Sequence, residues 1–256
     1  MNGTGSSTER LSQKTLWPYS THLKTGDCLI RLTWTQRALD ISPLDGIGWL
    51  ADQSEELSNW ASSVGRWRRA DAGQFLYQAG DVPDGLYGLA EGALELSFPL
   101  VAEEPVVLHR ADVGFWIGDA AVLSRRPRLI SIVTATPARV LHISATEVDR
   151  LLASHPQFWP AFYDLNTRNV ETALTLLSES LALTVKARVC RRLLALAERD
   201  RDVQITQDAL AKLLGVTRST VRRSIAELAV EGGVETGYGT LRVTDLAVLR
   251  RHKDEQ

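Results

Sequence analysis

Cysteine is scarce in this chain. Its 256 residues include only two cysteines, Cys28 and Cys190, which lie far apart in the sequence and belong to no CxxC or Cys/His cluster. A structural zinc site and a cysteine-ligated iron–sulfur cluster need closely spaced thiolates, and a disulfide scaffold needs many more cysteines. We therefore expect none of these sites, a reducing cytoplasm as the compartment, and Cys190 as a small core residue.

Long apolar runs and a dominant charge are also missing. No stretch approaches the ~20 apolar residues of a membrane span, and residues 1–13 lack the apolar centre of a signal peptide. This polar tail is expected to be disordered. The formal net charge is −2, so any nucleic-acid binding must come from a local basic surface.

The residue combinations that carry enzyme chemistry are lacking too. The sequence contains no recognisable nucleophile–base pair, metal-binding cluster or phosphate-binding glycine loop, so we predict no catalytic residue and no metal site. The five histidines are scattered along the chain. His109 and His142 fall in predicted strands, where a lone histidine is expected to be a hydrogen-bonded core or surface residue rather than a haem ligand.

The first half of the chain is dominated by short apolar segments. Residues 1–50 form an extension without a motif, although Trp17, Trp34 and Trp49 suggest that part of it packs on other structure. Between residues 51 and 152, short β candidates alternate with Gly and Pro turns, which predicts a β-barrel or sandwich. The candidates are residues 86–89, 93–98, 106–108, 129–133 and 139–143.

Helical patterns follow the strands. Ser144 is expected to cap a helix that runs to Leu152, and longer helices are predicted at about 156–183 and at 185–198. The helix at 156–183 carries an apolar stripe that packs either on its own barrel or on a second copy as a coiled coil. The stripe consists of Val170, Ala173, Leu174, Leu177 and Leu181.

The strongest local signal is a pair of short helices between Ile205 and Leu228. Thr206 is suited to cap the first helix, because its hydroxyl can accept a free backbone N–H. Gly215 can adopt the left-handed backbone that ends this helix, and Thr217 can cap the second. Together these residues predict a helix-turn-helix.

Polar residues at the start of the second helix predict a DNA-binding surface. The first two turns of a recognition helix enter the major groove, where arginine donates two hydrogen bonds to guanine and hydroxyl groups bind phosphates or bases. The inner face of the helix is apolar: Val221, Ile225 and Leu228. The predicted DNA-binding residues are Thr217, Arg218, Ser219, Thr220, Arg222 and Arg223.

A β-hairpin is predicted after the second helix, where Gly232 and Gly233 break the helical pattern. Its strands are expected at residues 234–236 and 240–243. A wing at this position brings Thr240 or Arg242 within reach of DNA phosphates. Asp245 is suited to cap a last short helix.

With these motifs identified, the chain resembles the Crp/Fnr family of bacterial regulators over about residues 50–250. Residues 73–96 look like the early part of a cyclic-nucleotide-binding-type β-roll, 114–123 like its phosphate cassette, and 183–198 like the hinge and first helix of the DNA-binding domain. The helix-turn-helix completes the set. The resemblance implies an α+β fold with an N-terminal double-stranded, jelly-roll-like β-roll, a long dimerisation helix and a C-terminal winged helix-turn-helix.

The resemblance also implies domain limits and a function. The domains would be a partly disordered extension at 1–50, a sensor roll at 51–152, a dimerisation helix at 153–183 and a DNA-binding domain at 184–256. The chain would be a homodimeric, sequence-specific transcription regulator whose partners are double-stranded DNA and RNA polymerase, with no membrane partner. Ligand binding in the roll would reorient the DNA-binding domains through a hinge near Thr184. The alternative is a ligand-binding module whose main output is a protein contact.

By the same resemblance, the effector site would lie at Gly118, Asp119 and Arg128. Cyclic-nucleotide binders of the family hold the ribose with an acidic residue after a glycine, and here Asp119 is one methylene shorter than the usual Glu. They hold the phosphate with an arginine followed by a hydroxyl residue, and here Leu129 follows Arg128. As an alternative role, Asp119 and Arg128 would form a structural ion pair.

Substitutions at the expected ligand contacts weaken the case for cAMP. Ala173 and Leu174 take the positions of the adenine-contacting Thr and Ser in the dimerisation helix, and Leu129 takes that of a phosphate-binding hydroxyl. Each lost hydrogen bond to a charged group costs roughly 1.5–3 kcal/mol. We therefore predict that the roll does not bind cAMP tightly, and that it senses a different ligand or none.

Overall fold

The computed structural model describes residues 39–99, 106–197, 201–203, 205–237 and 240–256, all of which belong to one unit, Trp34–Gln256. The predicted disordered tail, Trp17, Cys28 and Trp34 lie outside the described residues. Within the described part of the chain, no helix has both the length and the apolar character that crossing a membrane requires.

The first half of the described chain folds into a β-roll of short antiparallel strands. The strands are β1 (Arg66–Ala70), β2 (Phe75–Tyr77), β3 (Gly85–Glu91), β4 (Leu94–Phe98), β5 (Val106–Ala111), β6 (Trp116–Ile117), β7 (Ser131–Thr134) and β8 (Ala138–Ser144). They form two four-stranded sheets, in the orders β1-β8-β3-β6 and β2-β7-β4-β5.

Apolar side chains on the inner faces hold the two sheets together. Leu89 lies opposite Val140 in the first sheet, and Leu96 lies opposite Ile132 in the second; all four are buried in one apolar cluster. These positions belong to the strands that the alternating pattern predicts, whereas β1, β2 and β6 have no counterpart in the prediction. The sequence RWRRA of β1 has no apolar alternation, and β2 and β6 have only three and two residues.

A helix precedes the first strand, where the sequence analysis expected only short strands. This helix, α1 (Glu55–Val64), begins at Ser54, whose hydroxyl accepts a hydrogen bond from the backbone N–H of Leu57. Leu57 and Trp60 bury one side of the helix in the roll. The helix has only ten residues, so its apolar side gives a weak periodic signal.

The core of the roll extends back into the predicted N-terminal extension. Leu44, Trp49 and Leu50 are buried in the same cluster as Trp60. The Trp49 indole also donates a hydrogen bond of 2.8 Å to the carbonyl of Ala161. Residues 41–50 therefore belong to the packed roll, whereas the sequence predicted that the roll begins at residue 51.

Three helices complete this half of the molecule: α2 (Asp119–Ser124), α3 (Ala145–Ser154) and α4 (Trp159–Ala182). The Ser144 cap of α3 is confirmed, since its hydroxyl accepts the N–H of Glu147 at 3.3 Å. The predicted long helix is confirmed from Trp159 onward, after a 3-10 turn at Pro156–Phe158. Phe162 and Leu165 pack the start of α4 on the roll.

The C-terminal part is a winged helix-turn-helix with its own apolar core. Its helices are α5 (Val185–Ala197), α6 (Gln207–Leu214), α7 (Arg218–Val230) and α8 (Leu246–His252), and its strands are β9 (Asp202–Val203), β10 (Val234–Thr236) and β11 (Leu241–Val243). Cys190 is fully buried in this core, as predicted, and burial raises the pKa of its thiol to about 12. The α+β architecture expected from the resemblance is confirmed.

Candidate DNA-binding surface and effector site

Two threonine caps and one glycine set the geometry of the helix-turn-helix. The hydroxyls of Thr206 and Thr217 accept the N–H groups of Ala209 and Thr220 at 3.1 and 3.3 Å, which fixes the starts of α6 and α7. Gly215 ends α6 with a φ of 64°, a left-handed conformation that side chains rarely adopt. The predicted caps and turn are therefore confirmed.

The inner face of α7 determines which of its side chains face outward. Val221, Ile225 and Leu228 are at most 1% exposed and pack in the C-terminal core. The helix is thereby held with Arg218, Ser219, Arg222 and Arg223 exposed. The sequence pattern and the structure agree on this division between the two faces.

The three arginines of α7 differ in their partners. Arg218 forms an ion pair of 3.4 Å with Asp208 of α6. Within the described part of the chain, Arg222 and Arg223 make no side-chain hydrogen bond or ion pair, so both guanidinium groups are available to a ligand. The first turn of α7 contains no acidic residue, and the helix dipole adds partial positive charge there. This end of α7 is suited to bind anionic groups.

The hydroxyl residues of α7 form a small cluster of their own. The Thr217 hydroxyl lies 2.8 Å from that of Ser219 and 2.9 Å from that of Thr220. Thr217 and Ser219 are exposed, whereas Thr220 is half-buried. The cluster brings all three predicted hydroxyl contacts together at the helix start.

The predicted wing is confirmed as a hairpin of β10 and β11. Val234 pairs with Val243 and Thr236 with Leu241, and β9 adds a third strand beside β11. Arg242 is exposed but forms a 2.8 Å ion pair with Asp202 on β9. This carboxylate reduces the positive charge that Arg242 presents to a phosphate.

Arg128 is buried at the centre of the predicted effector site. Its Nη1 donates to the carbonyl of Gly118 at 3.1 Å, and its Nη2 donates to the carbonyl of Gly85 at 2.7 Å and to Asp84 Oδ1 at 2.9 Å. The guanidinium also stacks on Tyr77, 4.1 Å from the ring centroid. An anion that reaches Arg128 must therefore share it with a carboxylate and two carbonyl groups.

Asp84 is the central carboxylate of this network, although it was not among the site residues predicted from the sequence. Besides Arg128, the Tyr87 hydroxyl donates to it at 2.6 Å, and His142 Nε2 lies 3.2 Å away. Burial alone would raise the pKa of Asp84, but hydrogen bonds from His142, Tyr87 and Arg128 hold it well below its usual range. No local motif marks Asp84, because two of its partners, Arg128 and His142, are distant from it in the sequence.

Asp119 is buried but does not contact Arg128, so the expected ion pair between them is wrong. Its carboxylate accepts hydrogen bonds from the side-chain amides of Asn166 at 2.9 Å and Asn169 at 2.8 Å, both on α4. Burial raises the pKa of Asp119, and the two amides oppose this shift. Asp119 therefore joins α2 to α4, while Arg128 pairs with Asp84.

Gly118 is required by the close packing of this site. Its φ of 109° is left-handed, and a Cβ at this position would lie 2.7 Å from both Arg128 Nη1 and the Gly85 carbonyl oxygen. Only glycine allows the backbone to approach the guanidinium so closely. Gly118 thus contacts Arg128 and directly precedes Asp119, while the role of these three residues in binding an effector stays a prediction.

A cavity of about 970 Å³ opens beside these residues, between the roll, α4 and the C-terminal domain. Leu129 and Ala173 line it together with Gly118, Asp119 and Arg128. Leu174 is not among the lining residues and is 59% exposed. The cavity therefore receives apolar groups at two positions where the family resemblance leads us to expect hydroxyls.

Two protein-family models match the chain, one in the β-roll and one in the C-terminal winged helix-turn-helix. A model for the cyclic nucleotide-binding domain matches residues 67–155, and one for the Crp-like helix-turn-helix domain matches residues 187–252. Together the two matches cover more than half of the chain. The chain belongs to the Crp/Fnr family. It is thus a Crp/Fnr-type transcription regulator with a cyclic-nucleotide-binding-type domain and a helix-turn-helix.

Individual Crp/Fnr relatives are similar over most of their length. The HTH-type transcriptional regulator Cmr of Mycobacterium tuberculosis is 28% identical over 70% of this chain and 72% of its own. The cyclic AMP receptor protein of Thermus thermophilus is 28% identical over 69% of this chain and 83% of its own. Among solved structures, a CRP/FNR-family regulator from Thermus thermophilus has a TM-score of 0.62 at 23% identity, covering 74% of this chain and 99% of its own, which supports the fold. The named relatives are transcription regulators rather than enzymes.

Proposed function

We propose that this Crp/Fnr regulator binds double-stranded DNA as a homodimer and places α7 of each subunit in successive major grooves. The observation that carries the proposal is the pair of exposed guanidinium groups on Arg222 and Arg223, which have no partner in the described part of the chain. Major-groove guanine offers two acceptors to an arginine, so either residue can read a base. Arg218, Ser219 and the hydroxyls of Thr217 and Thr220 supply further base or phosphate contacts.

Local charge explains how a chain of net charge −2 binds DNA. Three arginines lie within the first six residues of α7, and the first acidic residue of that helix is Glu227. The field at this surface is therefore positive although the whole chain is slightly acidic. Since phosphate contacts release counterions, the affinity is expected to fall steeply with salt.

The apolar stripe on α4 supports a dimer. Val170, Leu174, Leu177 and Leu181 follow steps of four, three and four residues, and they are 47%, 59%, 55% and 80% exposed. Such spacing is that of a coiled-coil seam, which buries its side chains against a second helix. A parallel pair of α4 helices would also give the two copies of α7 the two-fold symmetry of a pseudo-palindromic site, with half-sites about 34 Å apart.

The roll is proposed to sense an effector other than tightly bound cAMP, or to serve only as a dimerisation platform. Asp84 already neutralises Arg128, and Leu129 supplies no hydroxyl to a phosphate. The proposed domains are the sensor roll at 51–152, with residues 41–50 packed into it, the dimerisation helix at 153–183 and the DNA-binding domain at 184–256, with Thr184 at the hinge. The regulator would act in the cytoplasm, with RNA polymerase as a further partner at promoters.

The proposal is tested by binding the purified full-length protein to fragmented genomic DNA at one fixed salt concentration. The wild type is compared with the double variant Arg222→Ala/Arg223→Ala and with the control Arg150→Ala, whose arginine lies on α3 in the roll and pairs with Glu147. We expect wild type and control to retain DNA and the double variant to lose it. If the wild type binds no DNA at this salt concentration, the proposal fails and the protein-contact module is favoured.

A further inference from the structure

The cavity beside the roll has a second end, away from the predicted effector residues. There it is bounded by β5, the last turns of α4, and the helices α5 and α6 of the C-terminal domain. Apolar side chains form most of its wall at this end: Leu96, Val107, Phe115, Leu176, Leu213 and Leu214. The wall therefore belongs partly to the roll and partly to the DNA-binding domain.

A positively charged side chain, that of Arg192, lines this apolar end of the cavity. Arg192 of α5 reaches the cavity, and burial lowers the pKa of its guanidinium. In the described part of the chain, no carboxylate lies within ion-pair distance of Arg192. Glu179 and Asp112 are close enough to favour its charge, but neither lies within ion-pair distance, and the Glu179 carboxylate is held by Arg191 at 3.0 Å.

The neighbouring residue of α5, Arg191, has the contacts that are typical of a structural arginine. It binds Glu179, the carbonyl of Lys253 at 2.8 Å and the carboxylate of Asp254. Arg191 thus ties α5 to α4 and to the C-terminus. Arg192 is half-buried and has no such set of contacts, and a charge that is partly removed from water without a paired anion is costly to the fold.

A second polar group without a partner lies beside Arg192. The Nδ1 atom of His109 on β5 is buried and has no hydrogen-bond partner among the described residues. Burial, reinforced by the charge of Arg192, lowers the pKa of His109 to about 4, so its ring is neutral near pH 7. A neutral imidazole has one N–H to donate and one nitrogen to accept.

We propose that this end of the cavity is a binding site for an organic anion with an apolar body, whose acidic group is held by Arg192 and His109. A guanidinium without a partner is completed by a carboxylate, sulfonate or phosphate, which it binds through two hydrogen bonds. The surrounding leucines and Phe115 match an aliphatic or aromatic body. The whole cavity, of which this site is one end, has a volume of about 970 Å³, which lies in the range of small-molecule sites.

A ligand here would also be linked to DNA binding. It would contact Val107 and His109 of the roll and Arg192 and Leu214 of the DNA-binding domain at the same time. Any difference in its affinity for the free and the DNA-bound arrangement changes the DNA affinity by the same factor. This second statement rests on the proposed DNA-binding function, whereas the binding site itself does not.

The site is tested with two probes of the stated chemistry and the full-length protein. Binding of 1-anilinonaphthalene-8-sulfonate is followed by its fluorescence, and decanoate and its uncharged methyl ester are used as competitors. We expect saturable binding of one sulfonate per chain, displacement by decanoate, and displacement by the methyl ester only at concentrations at least about tenfold higher. Equal competition by the ester would overturn the anion site.

Three variants locate the site. Arg192→Gln is expected to weaken the binding of both 1-anilinonaphthalene-8-sulfonate and decanoate by about tenfold or more. Ala195→Trp, which fills the cavity without removing a charge, is expected to abolish binding. The matched control is Arg110→Gln on β5, since Arg110 pairs with Glu95 at 3.7 Å and does not line the cavity. Unchanged probe affinity in Arg192→Gln, or an equal loss in Arg110→Gln, would contradict the assignment.

Thermal unfolding separates a ligand site from a structural role. Because Arg192 is a half-buried charge without a hydrogen bond in the described part of the chain, Arg192→Gln is expected to unfold at a temperature no lower than that of the wild type. A clear fall in the melting temperature would make Arg192 a structural residue and refute the proposal. Since no DNA is present in these experiments, their outcome is independent of the proposed DNA-binding function.

Discussion

Asp84 and Arg128 form a 2.9 Å ion pair across 44 residues of sequence, and the Arg128 partner is 1% exposed. The pair connects the segment just before β3 to the loop between α2 and β7. It thereby joins two parts of the roll. From the resemblance to cyclic-nucleotide binders, we expect an effector to bind between these two parts. Its energetic role and its effect on ligand binding can be tested separately.

Removing the carboxylate should destabilise the roll. Asp84→Ala leaves the Arg128 guanidinium buried without its counter-charge, so we expect the free energy of unfolding to fall by about 2–4 kcal/mol in chemical denaturation. The control is Asp149→Ala, which breaks an exposed 3.5 Å pair with Arg125 and should cost less than about 1 kcal/mol. Equal losses in the two variants would show that the Asp84–Arg128 pair contributes no more than a surface pair.

Restoring a hydroxyl at residue 129 should improve cAMP binding. Leu129 is 69% exposed and lines the cavity beside Arg128, so Leu129→Ser adds a donor for a phosphate with little cost to the core. By isothermal titration we expect weak or undetectable cAMP binding in the wild type and a Kd at least about tenfold lower in the variant. Micromolar cAMP affinity in the wild type would contradict our interpretation of Leu129 and Ala173.

A charge in the α4 stripe should separate the subunits. Leu174→Glu places like charges opposite each other in a coiled-coil seam, which should raise the dimer Kd at least about a hundredfold. Sedimentation velocity would then show a monomer, and DNA affinity should fall with it. Thr175→Glu adds the same charge next to the stripe and serves as the control. A dimer that survives Leu174→Glu would rule out this face as the interface.

Acid sensitivity should depend on His109. The ring titrates near pH 4 in the folded protein and near 6.5 in the unfolded chain, so between these values the unfolded state binds more protons. The free energy of unfolding should therefore fall as the pH drops from 6.5 to 4, and His109→Gln should remove part of that fall. Denaturation curves collected across this pH range measure the difference. Parallel pH profiles for the two proteins would contradict the lowered pKa.

Local signals explain why the helix-turn-helix could be predicted from the sequence. Thr206, Gly215 and Thr217 act within three residues of their own positions, through caps and a left-handed turn. The inward face of α7 repeats at helical spacing, so Val221 and Ile225 identify the outward arginines without any tertiary information. The structure confirms each of these local features.

Contacts between distant segments explain what the sequence did not reveal. An ion pair between Asp119 and Arg128 was the alternative role for these residues, but Asp119 binds Asn166, 47 residues away, and Arg128 binds Asp84 instead. Charged residues are common, and spacing alone does not say which two will meet when strands fold together. The position of Arg192 near His109 is of the same kind, because it depends on how the C-terminal domain, through α6, packs against β5.

The central claim is sequence-specific DNA binding by α7 in a symmetric dimer. It is tested most directly by sequencing the genomic fragments that the wild type and Arg223→Ala retain at the same salt concentration. We predict that the wild type enriches a pseudo-palindromic site with half-sites about 34 Å apart, and that Arg223→Ala loses or relaxes the preference at one base pair in each half-site. Enrichment of no common sequence by the wild type, or an identical sequence preference in Arg223→Ala, would contradict the account.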